Sequence, residues 1–198
     1  MIMKIIIATK TIIHKISSNY VELFFLLLRY LLSIVYYPLR YLFYKKISIT
    51  SFISLKSSIR NRKVIIIESK VQINNFVVLW PTQLHIGKNS QINPGTAIYG
   101  KVFIGNFVMI APNCMLAGGN HNFKNVYKPM IFQGSNEKGI IIQDDVWVGA
   151  NSTILDGVTI GKGSIIGANT LVSKSIPNNS IVVGNPARII KYRIDSQF

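Results

Sequence analysis

One cysteine, seven acidic residues and three histidines are all that 198 positions contain of these types. A lone thiol, Cys114, permits no intrachain disulfide, so nothing in the fold requires an oxidising compartment. The shortage of acid against 22 Lys and Arg leaves a formal charge of +15. That charge is uneven: residues 1–63 hold 11 Lys/Arg and a single acid, Glu22, whereas residues 64–198 hold 11 Lys/Arg and six acids. A basic first third points to phosphates or an anionic membrane surface. Nucleic acid is set aside, because no zinc-finger, helix-turn-helix or RNA-recognition pattern accompanies the charge. The histidines, His14, His85 and His121, lack the spacing of a zinc site, so no metal is expected.

A membrane-crossing run is missing as well. Within the apolar stretch 21–44 the longest charge-free segment, Tyr30 to Leu39, has ten residues, about half the ~20 needed to span a bilayer. Glu22, Arg29, Ser33, Tyr37, Arg40 and Tyr44 fall along one helical stripe, and the other faces are Phe, Leu and Ile. The pattern predicts a helix lying in the headgroup region, kinked near Pro38 and followed by Lys45 and Lys46. The alternative is a helix packed against the main domain or a sister subunit, its arginines reaching water. The late start of the apolar run and the absence of a small-residue cleavage site speak against a signal peptide. A cytoplasmic protein peripheral to the inner face of the cell membrane is the expected setting. Residues 47–63 are serine-rich and read as a linker or short strands.

What the chain does have is a six-residue beat. Aliphatic residues recur at Ile86, Ile92, Ile98, Ile104, Ile110 and Leu116, and again at Ile142, Val148, Ile154, Ile160, Ile166 and Val172. Six is too short for a helical repeat and too long for plain strand alternation. It suits short strands joined by sharp corners, three strands to an 18-residue coil, each aliphatic residue stacked on its equivalent one coil away. The position four residues later holds Val102, Val108, Cys114, Val146, Ser152, Val158, Ser164 and Thr170, all small or β-branched as a tight corner requires. The expected organisation is a basic, apolar segment over 1–63, a solenoid over 64–192 with a loop insertion near 118–141, and a tail over 193–198. Coils with flat apolar sides favour association with further copies.

The interruption of the beat opens with Gly118, Gly119, Asn120 and His121. Imidazole titrates near neutral pH and serves as a general base, and loops on rigid scaffolds are where catalytic groups concentrate. His121 is therefore the candidate base. Cys114 occupies a corner slot that packing alone explains. Segments IGNFVMIAPN (104–113), NH (120–121), DDVWVGA (144–150), VTIGKG (158–163) and VGNPAR (183–188) together resemble the hexapeptide-repeat acyltransferases. The closest likeness is to the maltose, galactoside and xenobiotic O-acetyltransferases and to polysaccharide O-acetyltransferases.

That resemblance implies an all-β solenoid, a left-handed parallel β-helix, assembled as a homotrimer with sites between subunits. It implies acetyl-CoA as co-substrate and a saccharide acceptor, membrane-borne or lipid-linked if residues 21–46 meet an anionic membrane. His121 would deprotonate the acceptor hydroxyl. Asn93, Asn120, Phe123, Tyr127 and Trp147 would face the acceptor. Trp147 would also face the cofactor, with Gly149, Ala150, Gly167 and Ala168 beside the pantetheine arm and Lys174 and Arg188 on the CoA phosphates. Transfer to a soluble sugar, an amino sugar or an antibiotic is the alternative, and a scaffold without catalysis a further one.

Overall fold

The computed structural model describes residues 43–193, so the expected helix over 21–44 and nearly all of the tail lie outside the described residues. From Tyr44 onward the chain is one compact unit of short strands wound around three faces. The first face stacks Lys46–Ile47, Ile65–Ile67, residues 84–86 and 102–104, Ile140–Ile142 and Thr159–Ile160, all parallel. The second stacks Phe52–Ile53, Gln72–Ile73, Gln91–Ile92, Met109–Ile110, Trp147–Val148, Ile165–Ile166 and Ser180–Val183. The third stacks Ser58–Ile59, residues 78–80 and 97–99, Met115–Gly118, Thr153–Leu155 and Leu171–Val172. The chain visits first, second and third face in turn, which is a parallel β-helix.

Every residue of the six-residue beat is fully buried. Each such side chain contributes about 1.5–3 kcal/mol, and the columns they form make a single core. The corner positions do more than stay small. Ser90 Oγ donates to Gly105 O (2.9 Å) and accepts from Val108 N (3.0 Å). Ser152 Oγ donates to Gly167 O (2.9 Å) and accepts from Thr170 N (3.3 Å). Each hydroxyl thus joins its coil to the next where the backbone turns and a buried N–H would otherwise lack a partner.

The ladder begins at Lys46, upstream of the boundary expected at residue 64. Its early register explains why 47–63 reads as weakly patterned. Phe52 pairs with Gln72 and Gln72 with Gln91, offsets of 20 and 19 residues, before Gln91 pairs with Met109 at 18. Longer early coils put the aliphatic positions out of phase with the later beat. At the other end Arg188–Tyr192 turns back antiparallel onto Ser180–Val183 and covers an edge that would otherwise be open to pairing.

Candidate active site

The third face meets the first at a narrow corner. Gly100 and Gly118 stand in register there. A Cβ on Gly100 (φ +72°) would lie 2.3 Å from Gly118 O, and one on Gly118 2.3 Å from Lys101 O, so neither position accepts a side chain. After Gly118 the chain leaves the coil, and the register across the break, Met115 to Thr153, is 38 residues instead of 18. The extra residues form a tongue that rejoins the first face at Ile140.

His121 sits at the base of this tongue, where Asn120 and His121 pair antiparallel with Asn136 and Ser135. Asn122 N donates to Gly134 O (3.0 Å) and Asn136 Nδ2 to Asn122 Oδ1 (2.9 Å). Farther out, Gln133 Nε2 donates to Asn125 O and Lys128 O. Two carboxylates fix the return. Asp156 accepts from Lys138 N (3.1 Å) and Gly139 N (2.7 Å), and Glu137 Oε2 accepts from Thr82 Oγ1 (2.6 Å). The Asn120 side chain accepts the His121 backbone N–H (3.0 Å). The backbone around His121 is held, while its imidazole is exposed and receives no hydrogen bond among the described residues. A groove of about 600 Å³ at the foot of the tongue is lined by Ala117, Asn120, Lys124, Asn136, Lys138 and Ser173, among others.

Lys124, Asn136, Lys138 and Asp156 were not singled out in the sequence. The one available signal is LeuAspGly at 155–157, the only acid at this corner of the later coils. Replacing Asp156 with Ala should cost about 1–3 kcal/mol, because the Lys138 and Gly139 amides lose a charged acceptor. The measurable consequence is faster proteolytic cleavage within 119–139; a cleavage rate equal to wild type would show that the tongue is held without it.

The other histidine of the described unit has a different setting. His85 Nε2 lies 3.1 Å from Glu68 Oε1 and its ring stacks on Phe103 at 4.6 Å, on the first face. Cys114 is buried with its Sγ 3.2 Å from Gly149 O. Burial pushes its thiol up from the ordinary value, against weaker lowering by the Ser152 and Asn151 backbone, which disfavours the nucleophilic thiolate. Among the described residues no group of three or more His, Cys, Asp or Glu is placed to hold a metal ion.

The structure brings Asn120 to the groove, with His121 the next residue of the same strand and outside the lining, and distributes the other candidates. Phe123 and Tyr127 point out from the tongue, Tyr127 at 96% exposure. Asn93 belongs to the corner between second and third faces, and both ends of its amide are engaged there: Nδ2 donates to Ile110 O (2.9 Å) and Oδ1 accepts from Asn74 Nδ2 (3.1 Å). Trp147 stands on the second face between Met109 and Ile165, half exposed. Gly149 and Gly167 start the corner between second and third faces. A Cβ on Gly149 would meet Ala168 N at 2.6 Å, so coil stacking alone requires that glycine. Ala150 is half-buried there and Ala168 exposed. Lys174 follows the groove residue Ser173 in sequence, and Arg188 opens the final antiparallel strand; both are exposed. Within one chain, therefore, His121 and Trp147 occupy different sheets.

Comparison with known proteins agrees with this architecture. The family described as "Bacterial transferase hexapeptide (six repeats)" matches residues 139–174. The WbbJ protein of Escherichia coli, named for O-acetyl transfer in lipopolysaccharide biosynthesis, is 33% identical over 72% of this chain and 67% of its own length. The galactoside O-acetyltransferase of Lactococcus lactis is 36% identical over 57% of each chain. With other curated relatives the match spans 42% and 35% of their length. Among solved structures, AntD, an N-acyltransferase from Bacillus cereus in complex with dTDP and 3-hydroxybutyryl-CoA, superposes with a TM-score of 0.71 at 29% identity, covering 79% of this chain and 87% of its own. A hexapeptide-repeat acetyltransferase of Vibrio cholerae complexed with acetyl coenzyme A gives 0.61 at 27% identity, covering 80% and 76%. Coil periodicity, tongue position and these similarities converge: the chain belongs to the hexapeptide-repeat acyltransferases with a left-handed parallel β-helix.

Proposed function

We propose that this chain transfers an acetyl group from acetyl-CoA to a saccharide hydroxyl, with His121 as general base. The observation that carries the reading is a fixed backbone that exposes an unengaged imidazole at the base of the tongue, one residue from Asn120 in the groove lining. The acceptor hydroxyl gives its proton to His121 as its oxygen attacks the thioester carbonyl. The carbon–sulfur bond then breaks, and CoA leaves as the thiol with the proton returned by the imidazolium. Lys124 and Lys138 make no ion pair with any described carboxylate, which suits an anionic donor or acceptor. The similarity to the WbbJ and galactoside proteins supports O-transfer to a sugar. The similarity to AntD favours one second reading, N-acylation of an amino sugar.

The trimer belongs to the same proposal. Exposed Val126, Tyr127, Ile131 and Phe132 on the tongue, with half-exposed Met109 and Trp147 on the second face, form apolar surface of the kind neighbouring copies cover. A neighbour's second face against the tongue would join Trp147 and the corner at Gly149, Ala150, Gly167 and Ala168 to His121. Lys174 and Arg188 would supply charge for the CoA phosphates. Release of CoA by the purified protein, assayed with free sugars, amino sugars and lipid-linked saccharides, tests the reading; no release with any of them would refute it.

Residues 21–46 are assigned to an anionic membrane surface, which would bring the enzyme to a membrane-borne acceptor at the cytoplasmic face. Among the described residues no helix is long and apolar enough to cross a membrane. Replacing Phe24, Leu27, Leu31 and Leu42 with serine should release the protein from anionic vesicles in a sedimentation assay. Aggregation or dissociation into monomers would instead make the segment a subunit contact.

A further inference from the structure

Resting on that reading, a second feature concerns the length of the acceptor. On the third face one outward column runs Arg60, Trp80, Tyr99, Ala117, Leu155 and Ser173, a single residue per coil. Its last three members line the groove at the tongue. Its first three form a continuous stack: the Arg60 guanidinium lies 3.8 Å from the Trp80 ring, and Trp80 meets Tyr99 edge to face at 5.6 Å. Trp80 is fixed further by Nε1, which donates to Ser58 Oγ (3.3 Å). Neither ring belongs to the buried core, since both are half-buried on the outside of the coil. Ala117 is the smallest side chain in the column and leaves the step from Tyr99 to the groove open. Thr82, two residues past Trp80, holds the returning tongue through Glu137, so the tongue runs along one edge of the column.

We propose that this column is an extended acceptor site, holding a saccharide of three or more sugar units whose reacting end lies in the groove at the base of the tongue that carries His121. Flat aromatic rings bind the carbon–hydrogen faces of pyranoses, and a guanidinium donates to the hydroxyls or carboxylates around them. Three coil steps of about 4.8 Å separate Ala117 from Arg60, a span that a single sugar ring cannot cover. No acidic side chain stands in the column, whereas Arg60, Ser58 and Thr82 offer polar groups along it. A polypeptide partner would need strand edges or interlocking apolar side chains, and the column offers two adjacent rings capped by a guanidinium instead.

The test uses an array of bacterial surface glycans of one to six sugar units, probed with the full-length His121→Ala protein, so that binding is read without turnover. The expected result is binding confined to glycans of three or more units. Trp80→Leu combined with Tyr99→Leu should abolish that binding, whereas Tyr99→Phe, which keeps the ring, should retain it. For the active enzyme on a glycan it acetylates, kcat/KM should rise at least about tenfold from one unit to three. The leucine substitutions should remove this rise through KM. Binding independent of length, binding indifferent to both leucine changes, or no glycan bound would overturn the proposal. So would a change of oligomeric state in the leucine variant, which would make the column a subunit contact. Length-independent turnover on monosaccharides would sink the extended site and leave acetyl transfer standing; length-dependent binding without transfer to any glycan would do the reverse.

Discussion

His121→Ala lowers turnover by roughly 10²–10⁴-fold, the usual worth of a positioned general base. The loss should fall on kcat, because in the proposed mechanism the imidazole acts as the acceptor proton departs. The substitution removes no core packing: His121 is exposed, and its imidazole makes no hydrogen bond to a described residue. The contacts that fix its backbone come from Asn120, Asn136 and Ser135, which the change leaves in place. Thermal unfolding, oligomeric state and affinity for acetyl-CoA should therefore match wild type. Single-turnover CoA release checks this, and a rate near that of the unaltered protein would contradict the mechanism.

Ala168→Trp raises the dissociation constant for acetyl-CoA by at least about 100-fold, equivalent to ~2.8 kcal/mol. Ala168 is exposed at the corner between second and third faces, while Ile166 and Val172 on either side carry the core. A large ring at position 168 can therefore project outward without disturbing the buried columns. The neighbouring glycines keep the backbone low, since even a Cβ on Gly149 would meet Ala168 N at 2.6 Å. An indole would fill the shallow path in which the proposed pantetheine arm lies. Calorimetric titration with CoA measures the effect, with unchanged unfolding as the control. Undiminished affinity would remove this corner from the donor site.

The core was readable in the sequence because burial on a repeating coil has a strict period. The beat residues from Ile86 to Leu116 and from Ile142 to Val172 all fall at zero exposure, and a six-residue spacing in two blocks is what short strands on a three-sided coil require. Ile67, Ile73 and Leu79 share that burial but stand in coils one or two residues longer, so their period is hidden. The tongue was visible as a break in the beat, and His121 as the titratable group at its mouth. The groove was not, because Lys124, Lys138 and Asp156 come together only when the tongue folds back on the next coil. Asn93 is a different case. Its residue type suits an acceptor contact, yet both ends of its amide are used within the corner ladder. Trp147 is an outward residue, as the alternation predicts; its separation from His121 by a face of the solenoid is a property of the winding that spacing alone does not reveal.

The central claim is that His121 of one copy works with the Ala168 corner of its neighbour. Equal amounts of His121→Ala and Ala168→Trp protein are unfolded together, refolded as mixed trimers and assayed for CoA release at an acetyl-CoA concentration near the wild-type dissociation constant, where each variant alone has at most a few per cent of wild-type activity. Composite sites should regain about one-quarter of wild-type activity, since in a cyclic trimer one site in four then pairs an intact His121 with an intact neighbouring corner. Mixed trimers that form and stay inactive would contradict the account and place both halves of the site within a single chain.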